Sequence, residues 1–147
     1  MTDGSRSRIL DAAAELLRSG HTVSLESAAR ECGLSKPGLM YHFRTKEALM
    51  TGLVDHVVDG WEQALVDRLG CPAGDATLTE RIRAYVGWAL SGDADESHLA
   101  MLSDPRLRRP LMARWSERTQ AWLGVPEDLD PAERARLHAV RLLADGA

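Results

Sequence analysis

Apolar residues return every three or four positions along most of this chain, and nowhere do they alternate with polar ones at the period of two that a strand needs. From Ser7 to Ser19, Ile9, Leu10, Ala13, Ala14, Leu16 and Leu17 keep that spacing and predict an amphipathic helix that Gly20 ends. Met1 to Ser5 read as a disordered start. Ser24 predicts the cap of a short helix ending near Glu31. Gly33 supplies a tight turn, and Ser35 caps a second helix from Lys36 to His42 with Pro37 in its first turn. Leu39 and Phe43 lie four apart and are expected to point inward, leaving Lys36, Gly38, Tyr41 and His42 to face outward. A small helix with that outer face suits a DNA major groove. Thr45 then caps a long helix in which Leu49, Leu53, Val57, Trp61 and Leu65 step by four to about Leu69, a span of roughly 35 Å.

Gly70 to Asp75 is rich in breakers and predicts a loop. A helix follows from Leu78 to Leu90, with Ile82, Tyr85, Val86 and Ala89 on its stripe, and residues 95 to 103 suit a short helix. Asp104-Pro105 opens another that runs to Leu123 through Leu107, Leu111, Trp115 and Trp122, while Pro110 predicts a late start or a kink. After a loop over 125–129, Asp130-Pro131 begins a last helix with Glu133 at the capping-box position and Ala135, Ala139, Leu142 and Leu143 on one face. The expected fold is all-α: a three-helix head over residues 1–46, joined by the long helix to a helical bundle within 47–147.

The net charge of -4 speaks against a nucleic-acid partner only as an average. Residues 1–50 hold seven Lys and Arg against six Asp and Glu, whereas residues 51–147 hold eleven against sixteen, so the acidity belongs to the C-terminal part. The chain has sixteen arginines but only two lysines, Lys36 and Lys46, and both fall in or beside the two short helices. Lys46 stands in the first turn of the long helix, where a cation opposes the helix dipole unless a phosphate sits beside it. Arg6 and Arg8 read as a basic arm for phosphate or minor groove, or equally as a solvated helix start. No apolar run approaches a membrane span or a signal peptide, and a cytoplasmic protein is expected. Cys32 and Cys71 lack metal or redox spacing, and no cofactor is implied.

The run from Ile9 to Leu49 resembles the N-terminal DNA-binding region of the tetracycline-repressor (TetR) family in its ordered combination of features. These are a first helix ending in Gly, the small pair Ala28-Ala29, the Gly33-x-Ser35 turn, and His42-Phe43 followed by Lys46 and Leu49. The resemblance implies a variable helical body for effector binding and dimerisation. It implies that Ser24 touches a phosphate, that Ser35 and Lys36 start the recognition helix near the backbone, that Gly38, Tyr41 and His42 face the groove, and that Lys46 holds a phosphate. Met40 departs from the family's usual aromatic residue; a thioether donates no hydrogen bond, and Tyr41 is the candidate to take over that phosphate contact. Family bodies usually end in two helices that build a four-helix dimer interface, of which one, at 131–144, is seen here, so a truncated frame or an altered interface is expected.

The resemblance implies a ligand-responsive regulator, a repressor by expectation, that binds a palindromic double-stranded DNA operator as a homodimer. An apolar effector site is expected among Tyr85, Trp88, Met101, Met112, Trp115 and Trp122, although aromatic and Met residues at helical spacing also serve as core. His56, His98 and His138 form no metal pair at helical spacing, and no Glu-x-x-His constellation supports a bundle enzyme. The alternative that keeps the fold is a helix-turn-helix module for protein interaction without DNA.

Overall fold

The computed structural model describes residues 2–91 and 103–145, and among them are seven α-helices and no strand. The first helix, α1 (Thr2–Arg18), starts before its apolar stripe does. The expected disordered start at residues 1–5 is therefore corrected from Thr2 onward. Its cause is tertiary: the Arg6 guanidinium lies 4.2 Å from the centroid of the Phe43 ring, and its Nη1 donates to the His42 carbonyl at 3.3 Å. Two short helices follow, α2 (Leu25–Glu31) and α3 (Lys36–His42), and then the long α4 (Lys46–Leu69). A 3-10 turn over Ala73–Asp75 leads to α5 (Leu78–Ala89). The remaining helices are α6 (Arg108–Leu123) and α7 (Pro131–Asp145). The short helix expected at 95–103 falls, except for Ser103, outside the described residues.

Two compact units divide the chain, one of residues 1–59 with 95–116 and one of 60–94 with 117–147. In the first unit Ile9, Ala13, Ala28, Leu39, Leu49 and Leu53 are all fully enclosed, so the stripes of α1 to α4 meet in one core. Gly52 lets α4 come close: a Cβ there would stand 2.8 Å from Cε1 of Phe43. Asp104 accepts from the Arg106 N–H at 3.0 Å in the turn that precedes α6. Helix α6 proper begins only at Arg108, which leaves Pro110 in the first turn, where its missing N–H costs no intrahelical bond. Of the two expectations for Pro110, the late start holds.

In the second unit, Thr77 and Glu80 form a reciprocal capping box at the start of α5. The hydroxyl and then the backbone N–H of Thr77 hold the Glu80 carboxyl below its ordinary range. Asp130 caps α7 by accepting from the N–H groups of Ala132 and Glu133 at 3.0 and 3.2 Å. Helix α7 packs against α5, with Arg134, Leu137 and Arg141 half-buried. Its expected apolar face points the other way, because Ala135 and Ala139 are exposed and Leu142 is 70% exposed.

Candidate nucleic-acid interface

The α2–turn–α3 unit is built almost entirely from local signals. Ser24 Oγ accepts from the Ser27 N–H at 3.0 Å, and Ser27 Oγ accepts from the Ser24 N–H at 2.8 Å, which closes both ends of a capping box. Gly33 takes φ +72 in the turn, a conformation that a side chain would strain, and the Leu34 N–H returns to the Ala29 carbonyl at 2.8 Å. Ser35 caps α3 by accepting from the Gly38 N–H at 3.2 Å, with Pro37 in the first turn. Leu39 and Phe43 are 0% and 1% exposed, as their spacing predicts, and they hold α3 against the core.

What α3 presents outward is Lys36, Met40 and Tyr41, the last 78% exposed. Gly38 and His42 are half-buried beside them. Tyr41 and His42 meet edge to face with centroids 5.3 Å apart, so the imidazole limits the directions open to the phenol. Arg44, exposed between α3 and α4, adds a cation to this edge. A phenol, a thioether, a glycine that lets the backbone approach, and cations at both helix ends can read a groove and its flanking phosphates.

Three of the candidate cations have partners within the chain. Lys36 is paired with Glu26, and this contact, followed by Glu26's own backbone N–H, holds the Glu26 carboxyl below its ordinary range. Lys46 donates to Asp104 Oδ2 at 2.7 Å across 58 residues of sequence. Arg6 belongs to the first turns of α1 and stacks on Phe43, so it is a helical residue bound to the end of α3 and not part of a loose arm.

The second unit brings together Tyr85, Trp88 and Trp122 with Trp61. Trp61 lies edge-on to each of the other three at centroid distances of 6.0 to 6.3 Å, and Tyr85 stacks on Trp88 at 6.1 Å. Trp61, Tyr85 and Trp122 are buried, and Trp88 is half-buried. Met112 and Trp115 fall in the first unit, Met112 exposed and Trp115 half-buried, and Met101 lies outside the described residues. Among the histidines, His56 pairs with Asp11 at 2.8 Å, His138 is exposed, and His98 lies outside the described residues. No group of three or more metal-ligating side chains occurs among the described residues.

Residues 9–53 match the model of the bacterial regulatory proteins of the tetR family. Over that stretch, from within α1 into α4, the chain carries a tetR-family DNA-binding region. Two solved structures are similar along nearly the whole chain. The crystal structure of the multidrug binding protein EbrR complexed with ethidium is 28% identical, with a TM-score of 0.59, over 97% of this chain and 83% of that one. EbrR complexed with imidazole gives 28% identity and a TM-score of 0.56 over 95% and 81%. No curated protein matches.

With the tetR-type DNA-binding region at residues 9–53, the protein is a ligand-responsive transcriptional regulator. No helix among the described residues is long and apolar enough to cross a membrane. Sequence reasoning missed three participants. Trp61 was legible only as one member of the α4 stripe, although it touches every other ring of the cluster. Glu26 and Asp104 carry no local signal, because a carboxylate that answers a lysine 10 or 58 positions away leaves no spacing pattern.

Proposed function

We propose that two copies of this tetR-family chain bind a palindromic operator, each presenting α3 to a major groove, and act as a repressor that a small molecule releases. The observation that carries this reading is the split of α3 itself. Leu39 and Phe43 are closed to solvent while Tyr41, between them in sequence, is 78% exposed with a hydroxyl able to donate to a base edge or a phosphate. Two such helices meet successive grooves when the half-sites lie about 34–36 Å apart, or a longer multiple of the turn. For the released state, the four-ring cluster of the second unit suits a planar aromatic effector, and EbrR, similar over most of its length, has been crystallised with ethidium. An effector that binds better to a form with misplaced heads lowers operator affinity by that difference in affinity.

Residues Ser24, Ser35, Lys36 and Lys46 are assigned to phosphates and Gly38, Tyr41 and His42 to the groove, with Arg6 supporting the end of α3. A second reading, protein interaction without DNA, is favoured by the carboxylate partners of Lys36 and Lys46. A mobility-shift assay with DNA from around the protein's own gene separates the two. Lys46→Ala is expected to weaken binding to every sequence and to flatten the plot of log affinity against log salt by about one unit. An unchanged slope removes Lys46 from the phosphate contacts, and absence of any DNA complex at low salt leaves the protein-interaction reading.

A further inference from the structure

Lys46 is the first residue of α4, and Thr45 caps that helix by accepting from the Ala48 N–H at 3.0 Å. The N–H groups of this turn and the Lys46 ammonium together form the place where an anion is stabilised at the head of a helix. In this structure the anion at the ammonium is Asp104. Its Oδ2 accepts from Lys46 Nζ at 2.7 Å, while its Oδ1 accepts from the Arg106 N–H at 3.0 Å and its carbonyl accepts from the Arg108 N–H at 2.9 Å. Asp104 is thus fixed by its own turn, and the lysine reaches to it. The side chains remain 39% and 27% exposed, so the pair borders solvent and is open to exchange.

We infer that Asp104 is a built-in competitor for the DNA phosphate at the head of α4, and that it sets how tightly the protein holds DNA. The inference rests on the DNA-binding reading above and adds to it a residue outside the helix-turn-helix. The Lys46 ammonium already spends part of its charge on Asp104, so a phosphate bound through Lys46 has either to displace the Asp104 carboxylate or to share the ammonium with a like-charged neighbour. The exchange lowers affinity for every sequence alike, because a phosphate carries no base information. A carboxylate here therefore holds down non-specific binding, where an unopposed lysine would raise it.

The experiment is a double-mutant cycle on the full chain, read by fluorescence anisotropy with a labelled random-sequence DNA duplex at low salt. Asp104→Asn keeps an acceptor for the Arg106 N–H but removes the charge, and Asp104→Ser does the same with a shorter side chain. Both are expected to tighten binding by roughly two- to five-fold, the scale of one partly exposed ion pair. Lys46→Ala is expected to weaken binding, and in that background Asp104→Asn is expected to have no further effect. The proposal is overturned if Asp104→Asn leaves affinity unchanged while Lys46→Ala weakens it. It is also overturned if the tightening persists without Lys46, since Asp104 would then act only through the overall charge. If wild type and Lys46→Ala bind DNA equally, the phosphate role of Lys46 fails, and the competitor role fails with it.

Discussion

The helix-turn-helix head and the last helix are both amphipathic in sequence, yet one encloses its apolar face and the other displays it. In the head, Ile9, Leu39 and Phe43 are closed to solvent by neighbours within the same unit. In α7, the half-buried side is Arg134, Leu137 and Arg141, while Val140 and Leu142 stand 39% and 70% exposed. Periodicity therefore reports that a helix has an apolar face and leaves open what covers it. For α3 the cover is the head's own core. For α7 the described residues leave Val140 and Leu142 uncovered, and under the proposed homodimer a second copy would cover them.

The sharpest way to break the contrast is truncation on both sides of it. Phe43→Ala is expected to destabilise the head by about 3–5 kcal/mol, because it opens a cavity in a closed core and removes the ring under Arg6. Leu142→Ala is expected to change the stability of the single chain by no more than about 0.5 kcal/mol while weakening self-association. Chemical denaturation measures the first difference and sedimentation the second. Equal stability losses at the two sites would erase the distinction.

Two glycines of α4 make a finer version of the same test. Alanine is the better helix former by about 1 kcal/mol, and Gly60 has nothing within 4 Å of an added Cβ, so Gly60→Ala is expected to stabilise by about 0.5–1 kcal/mol. At Gly52 the same methyl meets the buried Phe43 ring at 2.8 Å, with Leu10 Cδ2 at 3.4 Å behind. That ring cannot retreat within a closed core, and Gly52→Ala is expected to destabilise by about 1–3 kcal/mol. Thermal melts of the two variants should move in opposite directions.

The smallest expected effect concerns the charged cap of α5. Because Thr77 holds the Glu80 carboxyl below its ordinary range, this contact stabilises the fold above the unfolded-state value and loses that contribution as pH falls through the folded one. Stability against pH, followed by thermal melts, should therefore drop on the acid side, and Glu80→Gln should shallow that drop by lowering the neutral level while leaving the slope of the neutral-to-alkaline limb unchanged.

Much of this architecture was legible because it is decided within four residues. Ser24, Ser35 and Thr45 each cap the next helix, Gly33 makes the turn, and Leu39 with Phe43 orients α3. The features that escaped the sequence lie at longer range. The early start of α1 depends on the contact of Arg6 with residues 42 and 43, the partner of Lys46 is 58 residues distant, and the outward turn of α7 results from its packing on α5. Of the six residues expected at an effector site, Tyr85, Trp88 and Trp122 meet in one ring cluster, which Trp61 enters from α4, and Met112 and Trp115 lie in the other unit.

The central claim is that the outward face of α3 reads DNA, and Tyr41 is the residue to ask. Binding of wild type and Tyr41→Ala to DNA from around the protein's own gene, measured beside a random-sequence duplex at the same salt, decides it. Wild type is expected to prefer its own site, and Tyr41→Ala to lose most of that preference while keeping its affinity for the random duplex. Uniform weakening on both duplexes, or no preference in the wild type, would contradict it.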